Sequence, residues 1–279
     1  MIKKIIRVLL VGLLLCFSFY YTEKSVDLVK YTDPIMKEIK KDEKKYQVEV
    51  KEANIQKDEI TPGYNGITID YENSYTKMKR IGKYDKDSLV LKEVKPKVTI
   101  EATYDKYIVK GNYLKDTVGL VFLLDENTNI NRIVKILDDK LVTASFVTTN
   151  SYLEKNSKTI YDLAKKDYEV QLQAQEKEEL IFAKNTLRNI INYQAEYCYF
   201  EKKDQKKLET CKNAKMHSIL PTFEVNNFKD LKTNLESGAI IKIKESSIKE
   251  LPTFINYIKQ RGYTLENLTY LLSEDRTLK

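Results

Sequence analysis

Histidine is nearly missing, with one in 279 residues. That excludes any mechanism built on two imidazoles, whether a His-rich metal centre or a His dyad. Glycine and proline are scarce, 8 and 5, which excludes collagen-like and low-complexity classes. Neither G-x-G-x-x-G nor a Walker-type glycine loop occurs, so the chain offers no phosphate cradle and no nucleotide cofactor is expected. Charge of one sign is also limited. The net charge is +7, and Lys3, Lys4 and Arg7 supply three of it ahead of an apolar run, leaving +4 on the remainder. So small an excess is no basis for nucleic-acid binding and fits a protein facing an anionic surface equally well. What is present is core-forming: 42% hydrophobic residues with 20 Tyr and 9 Phe, too many aromatics for a disordered chain even at 32% charged.

Ile5 to Tyr21 read IIRVLLVGLLLCFSFYY, with Arg7 the only charge, two lysines before and the polar TEKS after. The pattern reads as a signal peptide or signal anchor over residues 1–22. At about 1.5 Å per residue the run spans roughly 26 Å, marginal for a bilayer core of about 30 Å, with Arg7 able to snorkel and Tyr20 and Tyr21 suited to the interface. No small-residue cleavage site follows it, and Leu15 stands where a lipoprotein box needs a small residue before Cys16. The expectation is a single-pass anchor through residues 5–21 in a bacterial cell membrane, with the main part extracytoplasmic, or a secreted protein if the segment is cleaved.

Residues 23–45 read as a charged helical stalk in which Asp33 and Pro34 form an N-cap and first-turn proline. Residues 46–110 read as a small α+β or β-rich module, with alternation in Tyr46 to Ile55, turn signals at Pro62-Gly63 and Asn65-Gly66, a helical turn at Tyr75 to Arg80 and a strand at Ser88 to Val94. From residue 111 to 279 the pattern is α/β. Apolar runs of strand length begin at Thr117, Val142, Tyr168, Ala195, Met216 and Gly238, and each precedes a segment of helical period, Ser151 to Lys166 and Glu178 to Tyr193 among them. So many strand-then-helix units predict a parallel sheet, with a closed barrel favoured over an open doubly wound sheet.

The order and wording of these units resemble the polysaccharide deacetylases of carbohydrate esterase family 4, the NodB homology domain. VFLLD (Val121 to Asp125) stands where that family has TFDDG, LVTASFVTTN (Leu141 to Asn150) where it has VKATFFVTG, and DYEVQLQAQEK (Asp167 to Lys177) where it has GHEIGNHTYSH. SGAIIKIKE (Ser237 to Glu245), followed by LP and RGY, matches the closing GSIILLHD section. The upstream ITPGYNGITIDYENSYTKMK looks like the small extracytoplasmic module that precedes such domains in some Gram-positive proteins. The resemblance implies a NodB-like distorted (β/α) barrel. It also implies a divalent metal held by an Asp and two His, a second Asp as base and a late His as acid. Here Leu123 and Leu124 replace the aspartates, Gln173 and Lys177 the metal-binding histidines and Lys244 the late histidine, while Tyr197 to Glu201 lack the family's Arg-Pro motif. The metal positions Leu124, Gln173 and Lys177 offer no ligand set, and no cofactor is expected.

The implied function is a catalytically inactive pseudoenzyme that binds glycan or another envelope polymer, or scaffolds at the envelope. The alternative is an active deacetylase or other hydrolase using substitute residues. Asp125, Glu126, Glu176, Glu201 and Glu245 lie at or beyond strand ends, where barrel sites gather, and with Gln173, Lys177, Tyr199 and Lys244 they are the groove candidates. Two of the acids at hydrolytic spacing would support the alternative; solvated loop acids are the plainer reading. His217 has no ligand partner at useful spacing and reads as a packed or hydrogen-bonded core residue. Cys198 and Cys211 read as a disulfide if the domain is exported, or otherwise as two buried thiols.

Overall fold

The structure, a computed structural model, describes residues 2–276, without the side chains of 2–8 and 22–29. Lys3, Lys4 and Arg7, read above as flanking charges of an anchor, and residues 277–279, the end of the barrel segment, lie outside that description.

In chain order the first elements are α1 (Ile2–Thr32), α2 (Pro34–Tyr46), β1 (Asn54–Gln56), β2 (Glu59–Thr61), β3 (Gly66–Ile69), α3 (Tyr71–Ile81), β4 (Leu91–Val94), β5 (Tyr107–Ile108) and β6 (Thr117–Leu123). Next come α4 (Ile130–Lys140), β7 (Ser145–Thr148), α5 (Asn150–Lys155), α6 (Ser157–Lys165), β8 (Glu169–Gln173), α7 (Lys177–Ile191), β9 (Tyr197–Tyr199) and α8 (Gln205–Asn213). The last are β10 (His217–Ile219), β11 (Phe223–Val225), α9 (Phe228–Asn234), β12 (Ile240–Ile243), α10 (Leu251–Gln260), β13 (Thr264–Leu265) and α11 (Leu268–Leu272).

The chain divides into two compact units. One comprises the residues up to Glu49 together with Gly66–Val94, the other Val50–Asn65 with Lys95–Arg276. Residues 46–110, read above as one module, are therefore shared between the two. Their β2 and β5 pair in parallel with each other, and β5 pairs with β10, which draws both strands into the larger sheet.

In the smaller unit Asp33 accepts a hydrogen bond from the Ile35 amide at 2.8 Å and caps α2, with Pro34 in the first turn where its missing N–H costs nothing. Ile35 and Ile39 of α2 pack with Ile69 of β3 and Met78 of α3. The expected membrane anchor is not found. Among the described residues no helix is long and apolar enough to cross a membrane, which overturns the single-pass placement through residues 5–21. The apolar stretch of α1 passes into the charged TEKS within the same helix.

In the larger unit the sheet order is β1-β2-β5-β10-β9-β8-β7-β6-β12-β11, with β13 paired to β6. Only the β1–β2 pair is antiparallel. The sheet curls into a half-barrel and keeps two edges, β1 and β11, so the closed barrel favoured from the unit count is replaced by an open one. The expected helix Ser151 to Lys166 is broken at Asn156 into α5 and α6. Side chains alternate as the pleat requires. Phe122, Phe146 and Cys198 face the helical layer, while Val121, Val147, Tyr197, Tyr199 and Ile240 face the hollow.

One end of that hollow is filled by Leu268, Leu271 and Leu272 of α11. Gly119 makes room for them, because a Cβ there would lie 2.8 Å from Leu271 Cδ2. Glu169, at the start of β8, holds α11 in place. Its carboxylate accepts from the Leu268 amide at 2.7 Å, the Thr269 amide at 3.2 Å and the Thr269 hydroxyl at 2.5 Å, and also from Ser145 and Gln171. On the outer side, a disulfide joins Cys198 of β9 to Cys211 of α8, both fully buried, with Cα atoms 6.2 Å apart.

Two outcomes follow from this packing. Glu169→Ala leaves several buried donors unpaired and should cost about 3 kcal/mol, with faster hydrogen exchange at the Leu268 and Thr269 amides; protection equal to the parent's would show that α11 does not depend on this carboxylate. In unreduced protein only the exposed Cys16 should be alkylated, and reducing the bridge, whose cysteines lie 13 residues apart, should lower stability by about 3 kcal/mol.

Candidate functional site

The open end of the hollow lies beyond the carboxyl ends of β6, β7, β8 and β9. Parallel register sets its floor: Leu123 stands opposite Val147, and Gln173 opposite Tyr199. Asp125 leaves β6 in a tight turn, its carboxylate accepting from the Asn127 amide at 2.8 Å and the Thr128 hydroxyl at 3.0 Å. Thr149 caps α5 through the Tyr152 amide at 3.3 Å, which sets Ser151 and Tyr152 at the rim. Leu123, Leu124, Asp125, Glu126, Tyr152, Gln173 and Glu201 thus border one cavity of about 350 Å³, together with Thr149 and Ser151. A second cavity of about 440 Å³ shares Asp125, Glu126 and Tyr152 with it and adds Asn129, Asn131, Asn156 and Thr159.

A chain of charges runs along the floor. Lys242 of β12 donates to Glu201 at 2.6 Å and pairs with Glu224 of β11 at 2.9 Å, and Lys244 pairs with the other oxygen of Glu224 at 2.6 Å. Gln173 donates its amide to the second oxygen of Glu201 at 3.3 Å. Burial works against the Lys242 charge, but the hydrogen bonds from Glu201 and Glu224 outweigh it and raise its pKa. Burial likewise works to raise the Glu224 carboxyl, and the two lysines hold it below the usual range. Beneath them Tyr199 is fully buried and its hydroxyl has no partner; burial, with the charges of Glu201 and Glu224, pushes its pKa up.

The remaining candidates stand apart from this cavity. Glu176 precedes α7 and pairs with Lys206 at 2.8 Å, and Lys177 lies exposed in the first turn of that helix. Glu245 accepts from the Asn129 amide at 3.3 Å. Thr149, Ser151, Tyr152, Lys242 and Glu224 were not singled out in the sequence. A lysine inside the apolar GAIIKIK was the available signal for Lys242, since a strand buried on both faces seldom spends a residue on charge.

Comparison with known proteins decides the relationship. No protein-family model matches the chain. Among solved structures, the chain is 25% identical to BA3943, a CE4 family pseudoenzyme from Bacillus anthracis, over 88% of this chain and 97% of that one, with a TM-score of 0.67. The chain is similar in sequence and fold to pseudoenzymes of carbohydrate esterase family 4. A BA3943 mutant with restored enzymatic activity matches equally, at 25% identity over 88% of this chain and all of that one, TM-score 0.67. The uncharacterized protein YlxY of Bacillus subtilis (strain 168) is 24% identical over 282 residues, 91% of this chain and 88% of its own. The Bc1960 peptidoglycan N-acetylglucosamine deacetylase, 15% identical with a TM-score of 0.54 over 61% of this chain, shares the fold.

The divalent metal that the resemblance implies does not fit the residues of this chain. Leu123 and Leu124 present no donor, Lys177 is directed to solvent, and among the described residues no group of three His, Cys, Asp or Glu side chains is placed to hold an ion. No step through a metal can be derived from these residues.

His217 lies at the opposite end of the hollow, stacked on Tyr104 with ring centroids 4.3 Å apart, and its Nδ1 lies 3.2 Å from the Thr103 carbonyl. Burial lowers its pKa, and the Thr103 contact offsets this only in part. The unfolded chain therefore takes up a proton below about pH 6.5 that the folded chain refuses. This contribution to stability is complete above that pH and is lost as the pH falls toward the folded value. Melting temperature should drop more steeply from pH 7 to pH 5 in the parent than in His217→Phe; equal slopes would show that the residue titrates alike in both states.

Proposed function

We propose that this degenerate deacetylase is catalytically inactive and uses the groove at the strand ends to bind a glycan, such as a cell-wall polymer, without cleaving it. The observation that carries the reading is the pair of adjoining cavities, whose walls combine one aromatic ring, Tyr152, with the amides and hydroxyls of Asn129, Asn131, Ser151 and Thr159 and with carboxylates. A sugar presents apolar ring faces and many hydroxyls, and such a lining supplies both stacking and bidirectional hydrogen bonding. The rival reading, hydrolysis by substitute residues, needs a general base and a general acid that are free to exchange protons. Glu201 is tied to Lys242 and Gln173, Glu126 to Lys155 at 2.6 Å, and Asp125 to its own turn, so no acid of the cavity is left for that work.

Calorimetric titration with an N-acetylglucosamine oligomer tests the reading. Binding without acetate release is expected. Ser151→Trp, which fills the rim from an exposed position, should weaken binding by about tenfold or more. Acetate release by the parent chain, or an affinity unaffected by the Trp, would refute the proposal.

A further inference from the structure

Lys242 is unusual in where its charge goes. It sits on the hollow-facing side of β12, two residues beyond the fully buried Ile240, and its side chain is only 13% exposed. In the sheet, β6, β7 and β8 lie between β12 and β9, so the 2.6 Å contact from Lys242 to Glu201 spans the mouth of the half-barrel and does not follow one edge. On its own side the same ammonium meets Glu224 at 2.9 Å. Gln173, at the place of a family metal ligand, is bonded to the other oxygen of Glu201.

We infer that Lys242 is a tethered cation that takes the place of a dissociable metal ion at the mouth of the half-barrel and closes the site to divalent ions. The ammonium meets groups that a hard divalent cation takes up, the carboxylates of Glu201 and Glu224, and the Gln173 amide, whose oxygen becomes available when the amide turns over, sits on the far oxygen of Glu201. The Tyr199 hydroxyl, buried and without a partner, feels the charges of both Glu201 and Glu224 and is a further oxygen near them. An ammonium has three donors in fixed directions and serves two carboxylates and little more. An ion with six or more coordination positions would also reach the hydroxyl and water. Tethering changes what the site responds to. The cation cannot be chelated or exchanged, so β9, β11 and β12 are held together whatever metal is present. This inference stands apart from glycan binding, and either can fail without the other.

Lys242→Met in the full chain is the test, with Mn²⁺ as the probe. The substitution keeps an unbranched side chain that ends at the Cε position and removes the ammonium, leaving Glu201 and Glu224 to repel each other. The variant should melt below the parent without metal. It should bind Mn²⁺ saturably with a dissociation constant of about 10⁻⁴–10⁻³ M, the range of sites with few charged ligands, and melt higher when the ion is added. The parent and Lys242→Arg, which retains a cation, should show neither Mn²⁺ binding nor any effect of a chelator. Adding Glu224→Gln to Lys242→Met should abolish the Mn²⁺ response. A Lys242→Met chain that gains no stability from Mn²⁺, including one that stays unfolded in its presence, overturns the inference. So does saturable Mn²⁺ binding by the parent or by Lys242→Arg.

Discussion

A carboxylate inside a curled sheet is tolerable only where donors saturate it, and Glu169 is saturated by groups from three elements at once. The Ser145 hydroxyl comes from β7, the Gln171 amide from β8, and two amides and a hydroxyl from the start of α11. Left unpaired, such a charge would be costly enough to disfavour the fold. Satisfied, it fixes where α11 must lie. The helix then delivers Leu268, Leu271 and Leu272 into the hollow, and Gly119 is required opposite them. With leucines of α11 packed into that end, the groove bordered by Leu123, Gln173 and Glu201 lies at the carboxyl ends of the strands.

At those carboxyl ends hydrocarbon and a network of engaged charges stand side by side. Leu123 and Leu124 put hydrocarbon where a base and a metal ligand would stand, and Leu124 is drawn into the core between sheet and helices. Lys242 brings a positive charge that is part of the chain. The result is a polar concavity in which Asp125 is held in a turn and Glu126, Glu201 and Glu224 in ion pairs. Outside the sheet, the bridge from Cys198 to Cys211 fastens α8 behind the strand that presents Tyr199 and leads to Glu201.

Much of this was legible beforehand where the signal was local. Periods of two and of 3.6 residues marked most strands and helices of the larger unit, and Asp33-Pro34 marked the start of α2. That Leu123 and Leu124 stand where the resemblance puts a base and a metal ligand needed only residue identity, because a hydrocarbon side chain has no donor atom in any fold. The break between α5 and α6 was less visible: Asn156 is compatible with a helix, and the turn there is settled by packing. The membrane reading was not met, since among the described residues no helix is long and apolar enough to cross a membrane.

What the sequence determined by itself was the alternation of strand and helix and the family likeness, since each depends on neighbouring residues or on identity alone. Tertiary structure alone decided that the sheet stays open, that residues 46–110 are divided between two units, and that Glu201 and Lys242, 41 residues apart, meet across the mouth. The reason is the same in each case. Strand pairing and charge pairing between distant segments depend on how the sheet curls, and curl is the sum of twists and contacts over the whole sheet, which no local stretch of sequence encodes.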